Sequence, residues 1–481
     1  MRLRIASRQS DLARIQAHEV ANALRKAQPG LEVEFHFSES LGDKNLTDPL
    51  WKMPGKGVFT ADLTQDLIDG RADLVVHSWK DLPVEEREET EIAASLQRAD
   101  TRDLLLFKKS SRTRLAEDSH IRIFSSSPRR EYNLKPFLKT VLPGLKGEIE
   151  FTSVRGNIPT RCRKLMETSD IDGLIVAKAA IDRLLAAEAE EFQDGREKVS
   201  STLRDCDWMV LPLSTNPAAP AQGALAIEVR KDRQDVKTLL AKIHDEKTFR
   251  EAQLEREILK SHGGGCHQKI GATVLERPSG RLVFLRGLTE KGVVLREMSW
   301  RGQLEGPVKV LRSDWLFERK TLRSPKLPEG STGLFVSHIA AWPEGFSFEG
   351  LVWTAGLGTW RKLAEKGIWV NGSTESLGEK EDLRLDRIRP GLKWAIATHS
   401  LASSEKEAFV TYELSPKERT EPPPSEGVLH WTSAALFEEA LRRWPEIRGR
   451  QHSCGPGKTF DRMKPLVSNL SIRWGAEESA P

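Results

Sequence analysis

The apolar run Leu74-Val75-Val76, followed by His77-Ser78-Trp79-Lys80-Asp81-Leu82-Pro83, constrains the fold more than any other stretch. A short uninterrupted run of this kind suits a strand buried on both faces of a parallel sheet. In α/β sheets, ligand crevices open beyond the carboxyl ends of the strands, and this strand exits straight into His, Ser, Lys and Asp. Pro83 discourages regular structure from continuing through Leu82. A cation and a carboxylate therefore stand side by side at a strand end. Taken alone, the same exit is equally a solvated turn capped by Asp81.

The segments before and after it extend the pattern. Leu3 to Ala6 reads as a strand, with Ser10 and Asp11 placed to cap and charge-complement the helix that follows. That helix stops at Pro29-Gly30, and Leu31, Val33, Phe35 and Phe37 then alternate with polar residues as a second strand. Strand, helix, strand opens a parallel α/β layer. Arg8 falls at the end of the first strand beside a helix N-terminus, and both features favour an anion. Lys52, Lys56 and neighbouring glycines precede a helix expected from Phe59 to Ile68, forming either a basic lid or a solvated loop.

Near Ala99-Asp-Thr-Arg102 the chain is expected to enter a second α/β lobe. There, Ile121 to Phe124 leads into Ser125-Ser-Ser127-Pro-Arg129-Arg130, and Phe151 to Val154 leads into Arg155-Gly156-Asn157 with Arg161 on the following helix. Adjacent arginines repel unless anions share them. Several strand ends thus deliver arginine, as a ligand with many carboxylates requires, although any single one is also readable as solvated. Asn216 to Ala224, with Gln222, returns the chain to the first lobe. A third domain begins near Asp245 and carries Ser261-His262-Gly-Gly-Gly-Cys266-His267, where three glycines present a thiol on a loop. His262, Cys266 and His267 alternatively suggest metal ligands, but no fourth soft ligand has compelling spacing, and no metal is expected.

A chain of 481 residues exceeds one core. No apolar run reaches the ~20 residues that span a bilayer, and Met1-Arg-Leu-Arg-Ile lacks a signal peptide's apolar segment. Four cysteines without framework spacing suit a reducing compartment, so a cytoplasmic location is expected. The net charge of +4 permits an anionic ligand without indicating nucleic acid, and neither nucleic-acid nor membrane partners are expected.

The motifs His77-Ser-x-Lys80-Asp81-x-Pro83, Arg4-Ile-Ala-Ser-Arg8-Gln-Ser10, Gly55-Lys56-Gly-Val-Phe59, Ser125 to Arg130, Arg155 to Arg161, Pro220-Ala-Gln222-Gly-Ala and Gly263-Gly-Gly-Cys266 together resemble hydroxymethylbilane synthase, the porphobilinogen deaminase family, in its order and over residues 3 to 322. The resemblance implies two periplasmic-binding-protein type II-like lobes (1–98 plus 220–243, and 99–219) and a small α+β cofactor-attachment domain (244–322). It implies polymerisation of four porphobilinogen molecules by a monomer, on a dipyrromethane carried by Cys266. Asp81, Lys80 and Arg8 would be catalytic. Ser78, Ser127, Arg129, Arg130, Arg155 and Gly156, with Lys80 and Asp81, would hold the cofactor. Arg8, Ser10, Lys52, Lys56, Phe59, Arg155, Arg161 and Gln222 would hold substrate. His267 departs from the family's usual polar residue after the cysteine, and residues 187–213 are longer than usual. The rival class is a two-lobed, non-enzymatic binding protein for an anionic metabolite.

Beyond a Pro/Gly/Ser-rich linker at 323–331, residues 332–475 resemble a partial α/β uroporphyrinogen-III synthase. The resemblance rests on Leu334 to Ser337, Ala355 to Gly358, Val410 to Tyr412, Leu429 to Ser433 and Ser453 to Pro456. The region is short and lacks that family's opening strand-helix units, so a noncatalytic remnant stands as an expectation beside a working second enzyme.

Overall fold

The computed structural model describes residues 2–39, 61–117, 120–263, 268–277, 280–301, 308–402 and 404–474. By contacts the chain divides into two compact units, one of Met1–Lys139, Lys146–Glu276 and Phe284–Glu297, the other of Thr140–Leu145, Arg277–Val283 and Met298–Pro481.

In the first unit, β1 (Arg2–Arg8) leads through α1 (Asp11–Ala27) to β2 (Glu32–Ser38), which lies parallel to β1 from Arg2↔Glu32 to Arg8↔Ser38. After α2 (Ala61–Ile68) come β3 (Leu74–Ser78) and β4 (Thr90–Ala94). The chain then builds a second sheet from β5 (Asp103–Lys108), β6 (Ile121–Phe124), β7 (Ile149–Thr152), β8 (Gly173–Ala177) and β9 (Cys206–Val210). Its helices are α3 (Pro128–Val141), α4 (Ile158–Glu167), α5 (Lys178–Ala186) and α6 (Gln193–Asp205). Finally β10 (Leu225–Arg230) returns to the first sheet.

The strand orders are β2-β1-β3-β10-β4 and β7-β6-β8-β5-β9. β3 is parallel to β1, but β10 runs antiparallel to β3 and β4, and β5 antiparallel to β8 and β9. Each sheet is therefore mixed. The strand that arrives from the other sheet inserts antiparallel beside the central strand, so the two sheets repeat one topology. The first sheet's core includes Leu3, Ile5, Val20, Leu24, Leu74, Val76 and Ile227, all essentially inaccessible. Residues 187–213 supply α6 and the edge strand β9, and Glu191 pairs with Arg14 of α1. The stretch is thus part of the second sheet's own framework.

Past α7 (Gln234–Leu240), the long helix α8 (Glu246–Ser261) precedes a sheet of β11 (Gly271–Arg277), β12 (Gly280–Leu288) and β13 (Val294–Arg301). Asp245 caps α8 by accepting from the Thr248 N–H at 2.7 Å. Leu259, Ile270, Ala272 and Leu285 close the core here.

The second unit holds two more sheets. β14 (Val308–Leu311) and β15 (Phe317–Thr321) come first, followed by β16 (Gly333–Val336), β17 (Leu351–Thr354), α9 (Leu357–Glu365) and β18 (Gly372–Ser373). β19 (Trp394–His399), β20 (Glu407–Pro416), β21 (Val428–Trp431), α10 (Ala434–Arg443), β22 (His452–Cys454), α11 (Lys458–Met463) and β23 (Leu470–Ile472) complete it. One sheet is β14-β21-β22-β23, entirely parallel; the other is β15-β20-β19-β16-β17-β18, parallel except for β15 against β20. Residues 308–321, expected to close the third domain, thus hydrogen-bond into the sheets of the C-terminal unit, and 323–331 is a connection within it. Among the described residues no helix is long and apolar enough to cross a membrane.

Candidate active site

The end of β3 sorts its side chains by strand alternation. His77 points inward, with Nε2 2.8 Å from Glu228 Oε2, and both groups are buried. Burial alone would raise the Glu228 carboxyl, but the His77 hydrogen bond and charge, with Arg87 and Thr90, bring it down to about 2. Ser78, facing the other way, exchanges hydrogen bonds with the Gln16 amide of α1 at 2.9 and 3.1 Å. Trp79 to Asp81 make one 3-10 turn, anchored by buried Trp79 against Phe249 at 5.1 Å between ring centroids. That anchor leaves Lys80 and Asp81 half-buried at the mouth of the strand.

Lys80 Nζ donates to Gln222 Oε1 at 3.3 Å. Burial holds its ammonium below the ordinary range; Arg130 and Arg129 add to this, and Asp81 and Asp103 oppose it. The Asp81 carboxylate has no hydrogen-bond or ion-pair partner among the described residues, and its charge reaches Arg161 of the second sheet.

Across from this turn, α3 opens with Arg129 and Arg130, both buried. Their repulsion is resolved internally. Asp103, 1% exposed at the start of β5, accepts from Arg129 Nη2 at 2.9 Å and Arg130 Nη2 at 2.7 Å. The Gln222 and Asn216 amides also donate to it, at 2.9 and 2.8 Å. Burial would raise the Asp103 carboxyl, yet the two guanidiniums hold it far below the usual carboxylate range. Arg129 Nη1 is further committed to Asn216 Oδ1 and the Pro217 carbonyl at 2.9 and 2.7 Å. Arg130 Nε is buried without a hydrogen-bond partner among the described residues. Ser127 sits at the helix entry, its hydroxyl accepting from the Arg130 N–H at 3.4 Å.

The entry to α4 is built the same way. Asn157 accepts from the Thr160 N–H at 2.9 Å as the N-cap, and Pro159 occupies the first turn. Gly156 has φ +113°, and a Cβ there would lie 2.7 Å from Thr160 Cγ2, so the turn requires glycine. Arg161 Nε donates to the Gly156 carbonyl at 2.7 Å. Its guanidinium is pushed down to about 10 by burial, then by Arg130 and Arg155, with Asp81 opposing. Arg130, Arg155 and Arg161 gather positive charge beside the Lys80 ammonium, and such an arrangement favours anionic groups.

Arg8 is half-buried at the end of β1. Ser10 occupies the N-cap position of α1, but its side chain makes no capping hydrogen bond; the expected cap fails because its backbone alone starts the helix, through the Arg14 N–H at 3.0 Å. Lys52, Lys56, Phe59, Cys266 and His267 lie outside the described residues. Gln268 Nε2 donates to the His262 carbonyl at 3.2 Å, and Gly271 passes so near Arg129 that a Cβ would sit 3.1 Å from Arg129 Cδ. Among the described residues no cluster of His, Cys, Asp or Glu could hold a metal ion.

Sequence reasoning missed Asp103, Gln16 and Glu228. Asp103 had one visible signal: an acid opening the wholly apolar run Leu104 to Phe107 is buried with its strand and must find cations.

A family model described as porphobilinogen deaminase, dipyromethane cofactor binding domain, matches residues 3–238. The porphobilinogen deaminase of Syntrophomonas wolfei is 37% identical over 286 residues, covering 60% of this chain and 84% of that protein. The chain belongs to the porphobilinogen deaminase family. The porphobilinogen deaminase of Clostridium novyi is 30% identical over 311 residues, 64% of this chain and 96% of that protein. Among solved structures, an arginine-transport periplasmic binding protein from Legionella pneumophila covers 54% of this chain and 98% of its own, at 12% identity and a TM-score of 0.26, a level that decides nothing. As a porphobilinogen deaminase the chain is a transferase, and its dipyrromethane is a polycarboxylate. The residues fit that group: Lys80, Arg129, Arg130, Arg155 and Arg161 stand against the two acids Asp81 and Asp103, and burial first, then cationic neighbours, hold Lys80 and Arg161 below their ordinary values.

Proposed function

We propose that this chain condenses four porphobilinogen molecules, each with loss of ammonia, into linear hydroxymethylbilane on a dipyrromethane bound to Cys266. The observation that carries the proposal is Asp81, a half-buried carboxylate with no partner of its own among the described residues, next to Lys80 and in electrostatic reach of Arg161. Loss of ammonia from the aminomethyl arm leaves a cationic pyrrole, and an unpaired carboxylate in a sheltered site stabilises charge that develops there. Asp81 also accepts from the pyrrole N–H and moves protons. When bound, the dipyrromethane supplies the pyrrole carbon from which the chain grows.

Lys80, Arg8, Arg130, Arg155 and Arg161 neutralise the carboxylate arms, with Ser10, Ser78, Ser127 and the Gly156 turn adding hydrogen bonds. Arg129 contributes charge more than hydrogen bonds, because Asn216, Pro217 and Asp103 already engage its guanidinium. Gln222 couples Lys80 to Asp103, while Lys52, Lys56 and Phe59 belong to the proposed lid. The two sheets of the first unit act as the two binding lobes, in a monomeric cytoplasmic enzyme. Attachment at Cys266 is supported by the other cysteines: burial pushes Cys162 up to about 11 and both Cys206 and Cys454 up to about 12, so none is a thiolate at neutral pH. The test is intact mass. Wild type, Cys162→Ser and Cys454→Ser are expected to carry the dipyrromethane increment and Cys266→Ser to lack it; an increment on Cys266→Ser sinks the assignment.

For the C-terminal unit we propose a uroporphyrinogen-III synthase-like activity. It is supported by two largely parallel sheets whose strand ends carry the quoted motifs, Ser337 after β16, Ala355 after β17 and Thr432 after β21. The intact chain fed porphobilinogen is then expected to yield mainly type III ring. Mainly type I, the product of spontaneous closure, would leave a noncatalytic remnant.

A further inference from the structure

The turn that carries Lys80 and Asp81 is wrapped around one guanidinium. Arg256, on α8, donates from Nη1 to the Trp79 carbonyl at 3.3 Å and the Leu82 carbonyl at 3.0 Å, and from Nη2 to the Pro83 carbonyl. These carbonyls bracket Lys80 and Asp81 on both sides. Buried Trp79 and Leu82 pin the two ends of the turn by packing against Ala221, Ala224, Ala226 and Ala252, while few other hydrogen bonds hold its backbone. Trp79 N–H bonds to the Ala224 carbonyl and Leu82 N–H to the Trp79 carbonyl, while Pro83 has no N–H to give. Because the Asp81 carboxylate has no partner of its own among the described residues, the backbone sets its direction, and Arg256 supplies the hydrogen bonds that fix that backbone between the packed ends Trp79 and Leu82.

The helix is anchored independently of this contact. Its preceding residue, buried Glu255, takes both Arg98 Nη1 and Nη2 at 2.8 and 2.6 Å, and accepts from the Ala221 and Val274 N–H groups at 2.7 and 2.8 Å. Loss of the Arg256 side chain therefore leaves α8 and the buried ends of the turn in place and frees the carbonyls of Trp79, Leu82 and Pro83 around Lys80 and Asp81. The guanidinium spreads its donors over two nitrogens to meet the three carbonyls, whereas the three donors of a lysine ammonium radiate from one point and match that spacing less well.

We infer that Arg256 is a positioning residue that aims Asp81 at the pyrrole nitrogen of the reacting porphobilinogen, an inference that rests on the role proposed for Asp81 above. The test compares Arg256→Gln, Arg256→Lys, Asp81→Asn and the Asp81→Asn/Arg256→Gln double variant, each loaded with preassembled cofactor. A misplacement near 1 Å costs on the order of 10²-fold, so kcat of Arg256→Gln is expected to fall ~10- to 100-fold, with KM for porphobilinogen nearly unchanged and the adduct mass retained. Arg256→Lys recovers part of the loss. In the Asp81→Asn background, Arg256→Gln adds no further loss, because the group it aims is already gone.

A kcat within twofold of wild type for Arg256→Gln overturns the inference, as do losses that multiply in the double variant. If Asp81→Asn itself turns over normally, the role of Asp81 and this inference fall together. If Asp81→Asn is slow but Arg256→Gln is silent or additive, only the inference falls. Should Arg256→Gln not fold, the same comparison with Arg256→Lys decides.

Discussion

Replacing Asp103 by asparagine tests whether one buried acid organises the cationic side of the site. Asp103 takes four side-chain donors, two from guanidiniums, and is 1% exposed. Removing one partner of a buried ion pair costs about 3–5 kcal/mol, because the remaining charge stays buried without compensation. Asparagine keeps one acceptor oxygen, so the lower end, ~3 kcal/mol, is expected, a factor of about 10² in the opening equilibrium. Hydrogen exchange read by mass spectrometry on peptides covering β5 and α3 at pH 7 measures that opening directly, and exchange there should quicken by about that factor. The acid dependence has a fixed sign. The folded carboxyl lies well below its ordinary 3.8, so its stabilisation is fully present above that value and drains away as pH falls through the folded one. The gap between wild type and Asp103→Asn should therefore narrow below about pH 4. Unchanged exchange at pH 7, or a gap that persists undiminished in acid, would refute the reasoning.

Asp81→Asn should slow turnover by ~10² while the protein keeps its fold and adduct; near-normal elongation by mass would make Asp81 a turn cap. Glu228→Gln should destabilise the first sheet by about 3 kcal/mol at neutral pH, since His77 and Arg87 lose their shared anion. With a folded pKa of about 2 against an ordinary 4.5, that contribution is present above 4.5 and fades toward pH 2, so urea midpoints of the two proteins should converge across that window. Gly156→Ala should cost about 1–3 kcal/mol and raise KM for porphobilinogen, because positive φ and the Thr160 methyl both oppose a Cβ; a wild-type midpoint and KM would show the turn relaxes freely.

The run Leu74 to Val76 placed Lys80 and Asp81 at a strand mouth from local sequence alone, because a short run buried on both faces reads as a strand, while its exit stayed equally readable as a turn capped by Asp81. The arginine pair was half legible. Repulsion between Arg129 and Arg130 demanded an anion, but the one they share is Asp103, 26 and 27 positions upstream on a strand inserted antiparallel, and no local pattern shows an insertion. His77 adjoins the site residues in sequence yet faces Glu228, 151 residues away, since successive side chains on a strand point oppositely. Pro and Gly at 323–331 were legible as a break, but composition marks a turn and says nothing about which strands pair across it.

The placement of β14 and β15 decides where this chain can be divided. β15 runs antiparallel to β20 from Phe317↔Pro416 to Thr321↔Tyr412, and β14 parallel to β21 from Val308↔Val428 to Leu311↔Trp431. A cut in the proline-rich stretch after residue 322 would strip one edge strand from each C-terminal sheet and leave both on the N-terminal fragment with their ladders unmade. Each fragment would then display raw sheet edges, the geometry from which aggregation starts. Separate expression of the two units therefore calls for a break upstream of Val308, so that both borrowed strands travel with the sheets they complete.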